Sequence, residues 1–467
     1  MKILVCVKQN ADGELNPFDA SAYEAALQLP NAEVLLLSMG PQKTGELLQR
    51  LTRLGAKAAY HLCDKAFAGA DTLATAYTLS LAVQHLQPDY IFCGRQTVDG
   101  DTGQVGPELA QLCGFALQPY IMRVTQNGNA LHTKNRSGAE ADLPAPALLT
   151  VERSYTLRKP SILSKPGQVT LLTAANLKAD VGRCGLAGSP TQVLKTFENQ
   201  NDRRNCQFIL PSELPKVLQT ALKKSENSLQ AEQPSSERLT NVWCIGTAPL
   251  KYAKGICSNP QVVELQPLQP LLSFIKAQQP QVILWGSDSA SKQLSARVAA
   301  ALQLGLCADC TRLDVENGRL IMYRPAFGGN IIAKIKSKTL PQMATVRTVQ
   351  KSACPLTVAV GAGVKGQLPA AQALAQKLGG QLAASRAVVD AGLLPYEMQV
   401  GLTGKTVCPK VYLAVGISGA VHHIAGMRQS GTVIAVNPDR KAPVFNYADY
   451  GVVCDFNTLL QAFGEWQ

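Results

Sequence analysis

The sequence predicts an α/β fold: two related, doubly wound parallel-sheet domains followed by a third α/β domain. Three observations carry this expectation. Short apolar runs alternate with helix-length patterns, which implies strands joined by crossover helices and a sheet covered on both faces. An internal repeat recurs at an offset of about 192 residues. A chain of 467 residues also has room for about three domains at roughly 150 each.

In order along the chain, Ile3–Val7 reads as a strand, Ala20–Leu29 as a helix, Glu33–Ser38 as a strand and Thr44–Leu54 as a helix. Ala70–His85 reads as a helix and Tyr90–Cys93 as a strand. The repeat then appears. Gln87–Gly94 recurs as Gln279–Gly286, Gly114 falls opposite Gly305, and Pro146–Val151 parallels Pro341–Val346. Ser225–Arg238 between the copies is rich in Ser, Gln and Glu, which is linker composition. Only about forty residues separate Asn241 from Gln279, against 86 before Gln87, so the second copy is expected to lack a βα unit. From Pro355 the texture changes, with Leu356–Val360, Val411–Val415 and Val433–Val436 as strands and Pro369–Leu378 as a helix. The expected boundaries are 1–224, a linker at 225–240, 241–350 and 351–467.

Composition narrows the function. Lys and Arg number 45 and Asp and Glu 33, a net charge of +12. Charged residues are only 17% of the chain, aromatics 6%, and no block of five or six basic residues occurs, which disfavours a nucleic-acid reading. A hydrophobic fraction of 46% argues against disorder. The 13 cysteines are odd in number, scattered and mostly within apolar runs, as small core residues of a reducing compartment are. Cys307 and Cys310 form a lone C-x-x-C without a second pair, so core packing is favoured over zinc. Met1-Lys2 leads directly into Ile3–Val7, no targeting segment is read, and no apolar run approaches a membrane span. A soluble, cytoplasmic protein is expected.

Three stretches carry chemistry. Gly361-Ala362-Gly363-Val364-Lys365-Gly366 is a G-x-G-x-x-G between a strand and a helix, a context that cradles pyrophosphate. The acid such a fingerprint wants about 20 residues on is replaced by Ser385-Arg386. Asp390 lies beyond the strand end, and a plain Gly-rich turn fits equally well. The second stretch, Gly94–Gly106, follows the Tyr90–Cys93 strand with glycines, Asp99, Asp101 and two threonines, suited to phosphate and sugar hydroxyls. Its repeat counterpart, Gly286–Lys292, lacks those glycines, so the first copy is expected to bind a ligand. The third, Ala414–His423, places two of the five histidines after a strand and a small-residue turn. His61, His85 and His132 read as structural.

These residues resemble the electron-transfer flavoproteins over nearly the whole chain. The N-terminal half is similar to the β subunit through Val5–Lys8, Asn16–Asp19, Gly94–Val105 and Gly185–Thr191. From about Thr240 the chain is similar to the α subunit through 324–330 and Pro341–Arg347. The FAD-domain signature is the strongest: Ala384–Gly392, 398–405, Val415–His423, Asn437 and Ala448–Gly451. The chain therefore looks like a β–α fusion, which also accounts for the repeat.

The resemblance implies FAD in the third domain. Ser385 and Arg386 would flank the isoalloxazine, within a set that includes Val400, Gly401 and Leu402. Thr403 would donate near N5. Ser418, Gly419, Ala420, Val421, His422 and His423 would wrap the pyrophosphate and pyrimidine edge, with His423 near O2. Asn437, Asp455 and Phe456 would hold the adenosine end. Arg386, Thr403 and His423 would be the electronically important groups, because reduced flavin gains negative charge near N1 and O2. In the β-like part, the resemblance implies AMP or a second FAD, with the electron-bifurcating branch favoured. That site would use Cys6, Asn16, Pro17, Phe18, Asp19, Leu36, Gly94, Arg95, Gln96, Thr97, Val98, Asp99, Gly100, Asp101, Thr102, Gly103, Gln104 and Val105.

The implied activity is electron carriage from a flavin dehydrogenase of the acyl-CoA type, as in fatty acid oxidation, to a quinone reductase or ferredoxin-like acceptor. A second FAD would add NADH oxidation, and the fused chain would replace a heterodimer, with a hinge near 349–355. Three departures from the family pattern bear on potential and partner. Gly361–Val364 lacks the usual Arg, with Lys365 following; Leu402 replaces a Gln; and the partner loop is shortened to Glu152–Pro160. Two other readings stand beside this one. One is an NAD(P)-dependent dehydrogenase built on Gly361–Gly366, with Arg386 on a 2′-phosphate. The other is a nucleotide-binding protein without redox activity.

Overall fold

The computed structural model describes residues 1–198, 204–223, 235, 237–326, 331–347, 354–401 and 404–464. Its first elements are β1 (Lys2–Cys6), α1 (Pro17–Leu27), β2 (Glu33–Met39), α2 (Thr44–Thr52), β3 (Ala58–Leu62), α3 (Thr72–Leu86) and β4 (Tyr90–Gly94). They continue with α4 (Val105–Cys113), β5 (Ala116–Asn127), β6 (Ala130–Asn135), β7 (Glu140–Leu143), β8 (Ala147–Val151) and β9 (Val169–Leu172). Next come α5 (Gly185–Gly188), β10 (Thr191–Glu198), β11 (Gln207–Ile209) and α6 (Leu214–Lys223). The second copy holds β12 (Val242–Ile245), α7 (Leu250–Ile256), β13 (Gln261–Val263), α8 (Leu268–Gln278), β14 (Val282–Trp285) and α9 (Ser289–Leu302). It closes with β15 (Leu306–Cys310), β16 (Arg312–Glu316), β17 (Arg319–Ala326), β18 (Ile331–Ser337) and β19 (Gln342–Val346). The last elements are β20 (Leu356–Val360), α10 (Leu368–Lys377), β21 (Gln381–Ala384), α11 (Arg386–Val389) and β22 (Val411–Val415). They end with α12 (Val421–Met427), β23 (Thr432–Val436), β24 (Tyr450–Val452) and α13 (Phe456–Ala462).

The chain forms two compact units. The first comprises Met1–Phe197, Glu232–Phe327 and Ile332–Thr348, and the second Glu198–Ala231, Gly328–Ile331 and Val349–Gln467. The α/β class expected from the alternating pattern is observed, with parallel sheets in both.

In the first unit, a nine-stranded sheet among the described residues runs β7-β6-β5-β8-β4-β1-β2-β3-β9, parallel from β5 to β9. Both faces are covered, which is why its strands read as unbroken apolar runs. Ile3, Val5 and Leu36 pack with Tyr23 and Ala26 of α1 and Leu48 of α2 on one face. Leu4, Leu35 and Leu37 pack with Leu79 of α3 and Leu109 of α4 on the other. Local chemistry sets the helix starts more sharply than periodicity did. Pro17 opens α1 three residues before the expected start, and the Asp71 carboxylate caps α3 by accepting from Ala74 N at 3.1 Å.

The second copy's sheet is β13-β12-β14-β19-β15, all parallel. Its order matches β2-β1-β4-β8-β5, with no counterpart of β3 among the described residues, so the expected shortening falls at that unit. The anchor residues Gln87 and Gln279 play one role in the two copies: each ends a helix in the left-handed region, at φ 48° and 44°. A further sheet in this unit, β10-β18-β17-β16, joins the segment after Pro190 to the hairpins of the second copy.

In the second unit, six strands run β11-β24-β23-β22-β20-β21, all parallel. Here the structure corrects the expected boundary at 224. β11 and α6 lie before it in sequence, yet β11 pairs with β24, and Leu214 and Leu218 of α6 are fully buried among Leu356, Leu374 and Leu459. The Arg204 guanidinium donates to the Gly431, Ser430 and Arg428 carbonyls at 3.0, 2.7 and 3.2 Å and pairs with Asp449. The Asp449 of the Ala448–Gly451 signature is thus held by packing of the unit itself. Most of the expected linker at 225–240, and 349–353 of the expected hinge, lie outside the described residues. Among the described residues no helix is long and apolar enough to cross a membrane.

Candidate functional site

In a doubly wound sheet, ligands bind where neighbouring strands send their chains to opposite sides, outside the carboxyl ends. In the first unit that point lies between β1 and β4, because β2 and β3 build outward on one side and β4 and β8 on the other. Cys6 and Gly94 end these two strands, so the loops predicted from sequence meet there.

The Asp19 carboxylate joins them. It accepts from Lys8 N at 2.8 Å and from Gly94 N at 3.1 Å. Burial pushes its pKa up to about 7 against those N–H groups. Asn16, also buried, donates to the Gln96 carbonyl at 2.9 Å. The Lys8 ammonium reaches both oxygens of Asp99, at 2.8 and 2.9 Å. Burial works against the Asp99 charge, but Lys8, Thr97 and the Gly100 N–H outweigh it and hold the carboxyl below its ordinary range. Arg95 lies over the Phe18 ring at 4.9 Å and beside Glu152 at 3.5 Å.

The far end of the loop meets the second copy. Gln96 donates to Asp101, and the Arg324 guanidinium donates to the Gly100 carbonyl at 2.6 Å. Burial and the nearby Asp309 carboxylate raise the Asp101 pKa to about 6, opposed by Arg347, Arg324 and Lys292. Gln104 donates to the Leu306 carbonyl at 3.4 Å and accepts from Thr72 Oγ1, which also donates to the buried Glu108. Among the described residues, the backbone N–H groups of Thr102, Gly103, Val105 and Gly106 bond no protein acceptor, at the start of α4. N–H groups so placed suit a phosphate. Leu36 and Phe18 are fully buried, so their side chains pack rather than line a site. Pro17 serves as the helix start.

The second unit repeats the geometry. Its order β21-β20-β22-β23-β24 puts the switch between β20 and β22. There Gly361 N donates to Val415 O at 2.8 Å, and Gly363 N to Gly416 O at 3.3 Å. Four more of the predicted segments follow strands of this unit at the same carboxyl edge. Ser385 and Arg386 follow β21, Ser418–His423 follow β22, Asn437 ends β23 and Asp455 follows β24.

Ser385 is 9% exposed, and its buried Oγ has no hydrogen-bond partner among the described residues. Arg386 is half-exposed and donates from Nε to Asp390 at 2.9 Å, an i,i+4 pair. Val400 N donates to Ala384 O, and Gly401 runs against the His422 carbonyl. Leu402 and Thr403 lie outside the described residues. Ala420 stands at the start of α12, and the Ser418 carbonyl accepts from Val444 N at 3.1 Å. Gly419 and the exposed His422 complete that turn, with Val421 half-buried. Asn437 donates to the Ile417 carbonyl at 2.9 Å, tying the loop after β23 to the one after β22. Asp455 caps α13 by accepting from Thr458 N at 2.8 Å, and Phe456 is a core residue.

His423 is buried, with Nε2 2.9 Å from the Tyr412 hydroxyl. Burial pushes its pKa from 6.5 down to about 4, weakly opposed by the Val400 backbone, so the imidazole is neutral at neutral pH. A depressed pKa of this kind contributes stability above pH 6.5 that is lost as pH falls through about 4. The ligand-free second unit is therefore expected to lose about 3 kcal/mol over that interval, and His423→Gln to flatten the loss. Thermal melts of both proteins across the interval check this; parallel pH profiles would exclude it.

Tyr412 and Lys8 are side chains bonded to candidate-site residues that the sequence analysis did not list among the site residues, although Lys8 closes the Val5–Lys8 motif. Tyr412 sits in an apolar strand and reads as core. Lys8 follows β1, and only its distance to Asp99, 91 residues on, reveals its part.

A family model described as the electron transfer flavoprotein domain matches residues 3–177 and again 266–375. A second, the electron transfer flavoprotein FAD-binding domain, matches 352–428. The chain is 41% identical over 226 residues to electron transfer flavoprotein subunit alpha of Thermoanaerobacterium thermosaccharolyticum, covering 38% of this chain and 68% of that protein. It is 36% identical over 209 residues to subunit beta of the same organism, covering 42% and 80%. It is also 37% identical over 235 residues to subunit LctC of the lactate dehydrogenase (NAD(+),ferredoxin) of Acetobacterium woodii, covering 41% and 56%.

Proposed function

The chain belongs to the electron transfer flavoprotein family, and from that premise we propose that it is a single-chain electron carrier joining both subunit types in one polypeptide. Similarity to an alpha and to a beta subunit, with one domain model matching twice, supports the fusion. The observation that supports this reading best is the carboxyl edge of the second unit, where Ser385-Arg386, Ser418–His423, Asn437 and Asp455 each follow a strand of the sheet whose switch point is Gly361–Gly416.

The residues there fit FAD. The backbones of Gly361 and Gly416 leave no room for side chains between them, and Ser385 offers a buried hydroxyl with no protein partner. When bound, FAD supplies a ring that accepts and returns electrons singly or in pairs. Arg386 would hold a positive charge against the ring, its Nε already aligned by Asp390. His423, neutral and fixed by Tyr412, would present a hydrogen bond without adding charge. Asn437 would orient the loop that wraps the pyrophosphate. The donor we propose is a flavin dehydrogenase, and the acceptor a quinone reductase or ferredoxin-like protein.

The first unit's crevice would hold a second nucleotide, FAD rather than AMP. Relatives named as subunits of a lactate dehydrogenase (NAD(+),ferredoxin) and of an acryloyl-CoA reductase favour the two-flavin form, which would also oxidise NADH. Chromatography of heat-released nucleotides tests this reading. Two FAD per chain is the expected result; one FAD and one AMP would restrict the protein to a one-flavin carrier, and no flavin would overturn the proposal.

Arg386→Ala is expected to lower the one-electron potential of the bound flavin by about 59 mV, equivalent to about 1.4 kcal/mol of lost charge stabilisation. A potentiometric titration reads it. Unchanged potential with unchanged FAD content would remove Arg386 from the site.

A further inference from the structure

Nothing in the proposed electron transfer uses Cys307 and Cys310, which the sequence presents as a bare C-x-x-C. In an unbroken strand, residues three apart face opposite sides and stand about 10 Å apart. β15 is broken in a particular way. Its pairing with β19 matches Cys307 to Ala344 but Cys310 to Val346, so three steps on one strand oppose two on the other. Asp309, within the extra step, has φ 52°. This is a β-bulge.

The bulge has two geometric consequences. Ala344 and Val346 share a face of β19, so Cys307 and Cys310 share one too, and both join a single apolar cluster. Three residues also span only two strand steps, about 6.6 Å, inside the roughly 4.4–6.8 Å over which two Cα atoms accept a disulfide. A Cys310–Cys307 side-chain hydrogen bond holds the Cys307 thiol below its ordinary pKa, with Arg324 assisting against burial. The Cys310 Sγ also lies 3.7 Å from the Cys307 carbonyl. Among the described residues no group of three or more Cys, His, Asp or Glu is placed to hold a metal.

We propose that Cys307 and Cys310 form a redox-active pair, a modification site that closes to an intramolecular disulfide across the bulge. The oxidant is a small-molecule disulfide. The Cys307 thiolate attacks one of its sulfurs, forming a mixed disulfide and releasing one thiolate, which takes a proton. The Cys310 thiol then loses its proton and attacks the Cys307 sulfur, releasing the second thiolate. The two cysteines lose two electrons and two protons, and the small disulfide becomes two thiols. Because Cys307 and Cys310 are 3% and 0% exposed, exchange waits on local opening of β15 and is slow beside side-chain motion. The bridge would enclose Asp309, which pairs with Lys292 at 2.8 Å and faces Asp101 of the first copy's loop.

The test equilibrates the full chain with mixtures of reduced and oxidised dithiothreitol, quenches in acid, alkylates free thiols under denaturing conditions and maps peptides by mass. The expected result is loss of two hydrogens and of both alkyl groups at Cys307 and Cys310, reversed by reduced dithiothreitol. Full alkylation of both at the most oxidising mixture, or bridging of either to another cysteine, would overturn the proposal. Cys310→Ser incubated with glutathione disulfide should trap a mixed disulfide on Cys307, and an unmodified Cys307 in the folded variant would overturn it as well. Should that variant fail to fold, peptide mapping of the native chain decides alone.

Discussion

Gly94→Ala is expected to empty the proposed nucleotide site of the first unit while leaving FAD in the second. A Cβ at this position would stand 2.3 Å from Asp19 Oδ1, 2.6 Å from Phe18 Cβ and 2.7 Å from Asp19 N. The last two belong to the body and backbone of α1, which cannot rotate away. Asp19 holds the loop after β1 to the loop after β4, so relieving the overlap separates the two walls of the crevice. The cost is about 3 kcal/mol, in the range for overpacking a close backbone contact, and at about 2–4 °C per kcal/mol the melting transition should fall by roughly 6–12 °C. Nucleotide analysis and a thermal melt of the purified variant measure both effects. A variant that melts with the native protein and keeps two nucleotides would place the ligand elsewhere.

Gly361→Ala should do the reverse, removing the FAD of the second unit while sparing the first site. Its Cβ would lie 2.0 Å from Gly416 O, 2.5 Å from Gly416 C and 2.7 Å from Ile417 Cα, all of them backbone atoms. β20 and β22 pair in register up to Val360 and Val415, so the overlap falls one residue past the sheet, at the switch point itself. The strands are held by their ladder; the loops must part. We expect loss of more than nine-tenths of the bound FAD of this unit, on the order of 1.4 kcal/mol or more in affinity, read from absorbance and chromatography. Retention of that FAD would show that the crevice between β20 and β22 does not hold the cofactor. The two variants together form a crossed test, since each should spare the other's site.

Much of this arrangement was legible in the sequence because it is written in local pattern. Fully buried parallel strands appear as apolar runs such as Ile3–Val7 and Val411–Val415, and the loops at their carboxyl ends can be marked without knowing the sheet order. Gly94–Gly106 and Ala414–His423 are marked in that way. The resemblance supplied roles that spacing could not, such as that of Arg386. The boundary at 224 failed for a physical reason. β11 has three residues and lies at a sheet edge, too short to show a period, and its partner β24 lies more than two hundred residues on. Leu36 and Phe456 illustrate a second gap, because position beside a site does not say which way a side chain faces; both are core residues.

What the sequence by itself determined is therefore the order and type of the larger elements, the repeat, the family resemblance and the loops at the carboxyl ends of the strands. Each depends on neighbours within a few residues, where 3.6- and 2-residue periods and turn chemistry operate. What only the tertiary structure decided are pairings across long stretches of chain. The Arg204 clamp on Asp449, the Lys8–Asp99 bridge, the approach of Asp101 to Asp309 and the bulge that turns Cys307 and Cys310 to one face are of this kind. Register and burial set these contacts, and both are properties of the assembled sheets rather than of any segment that enters them.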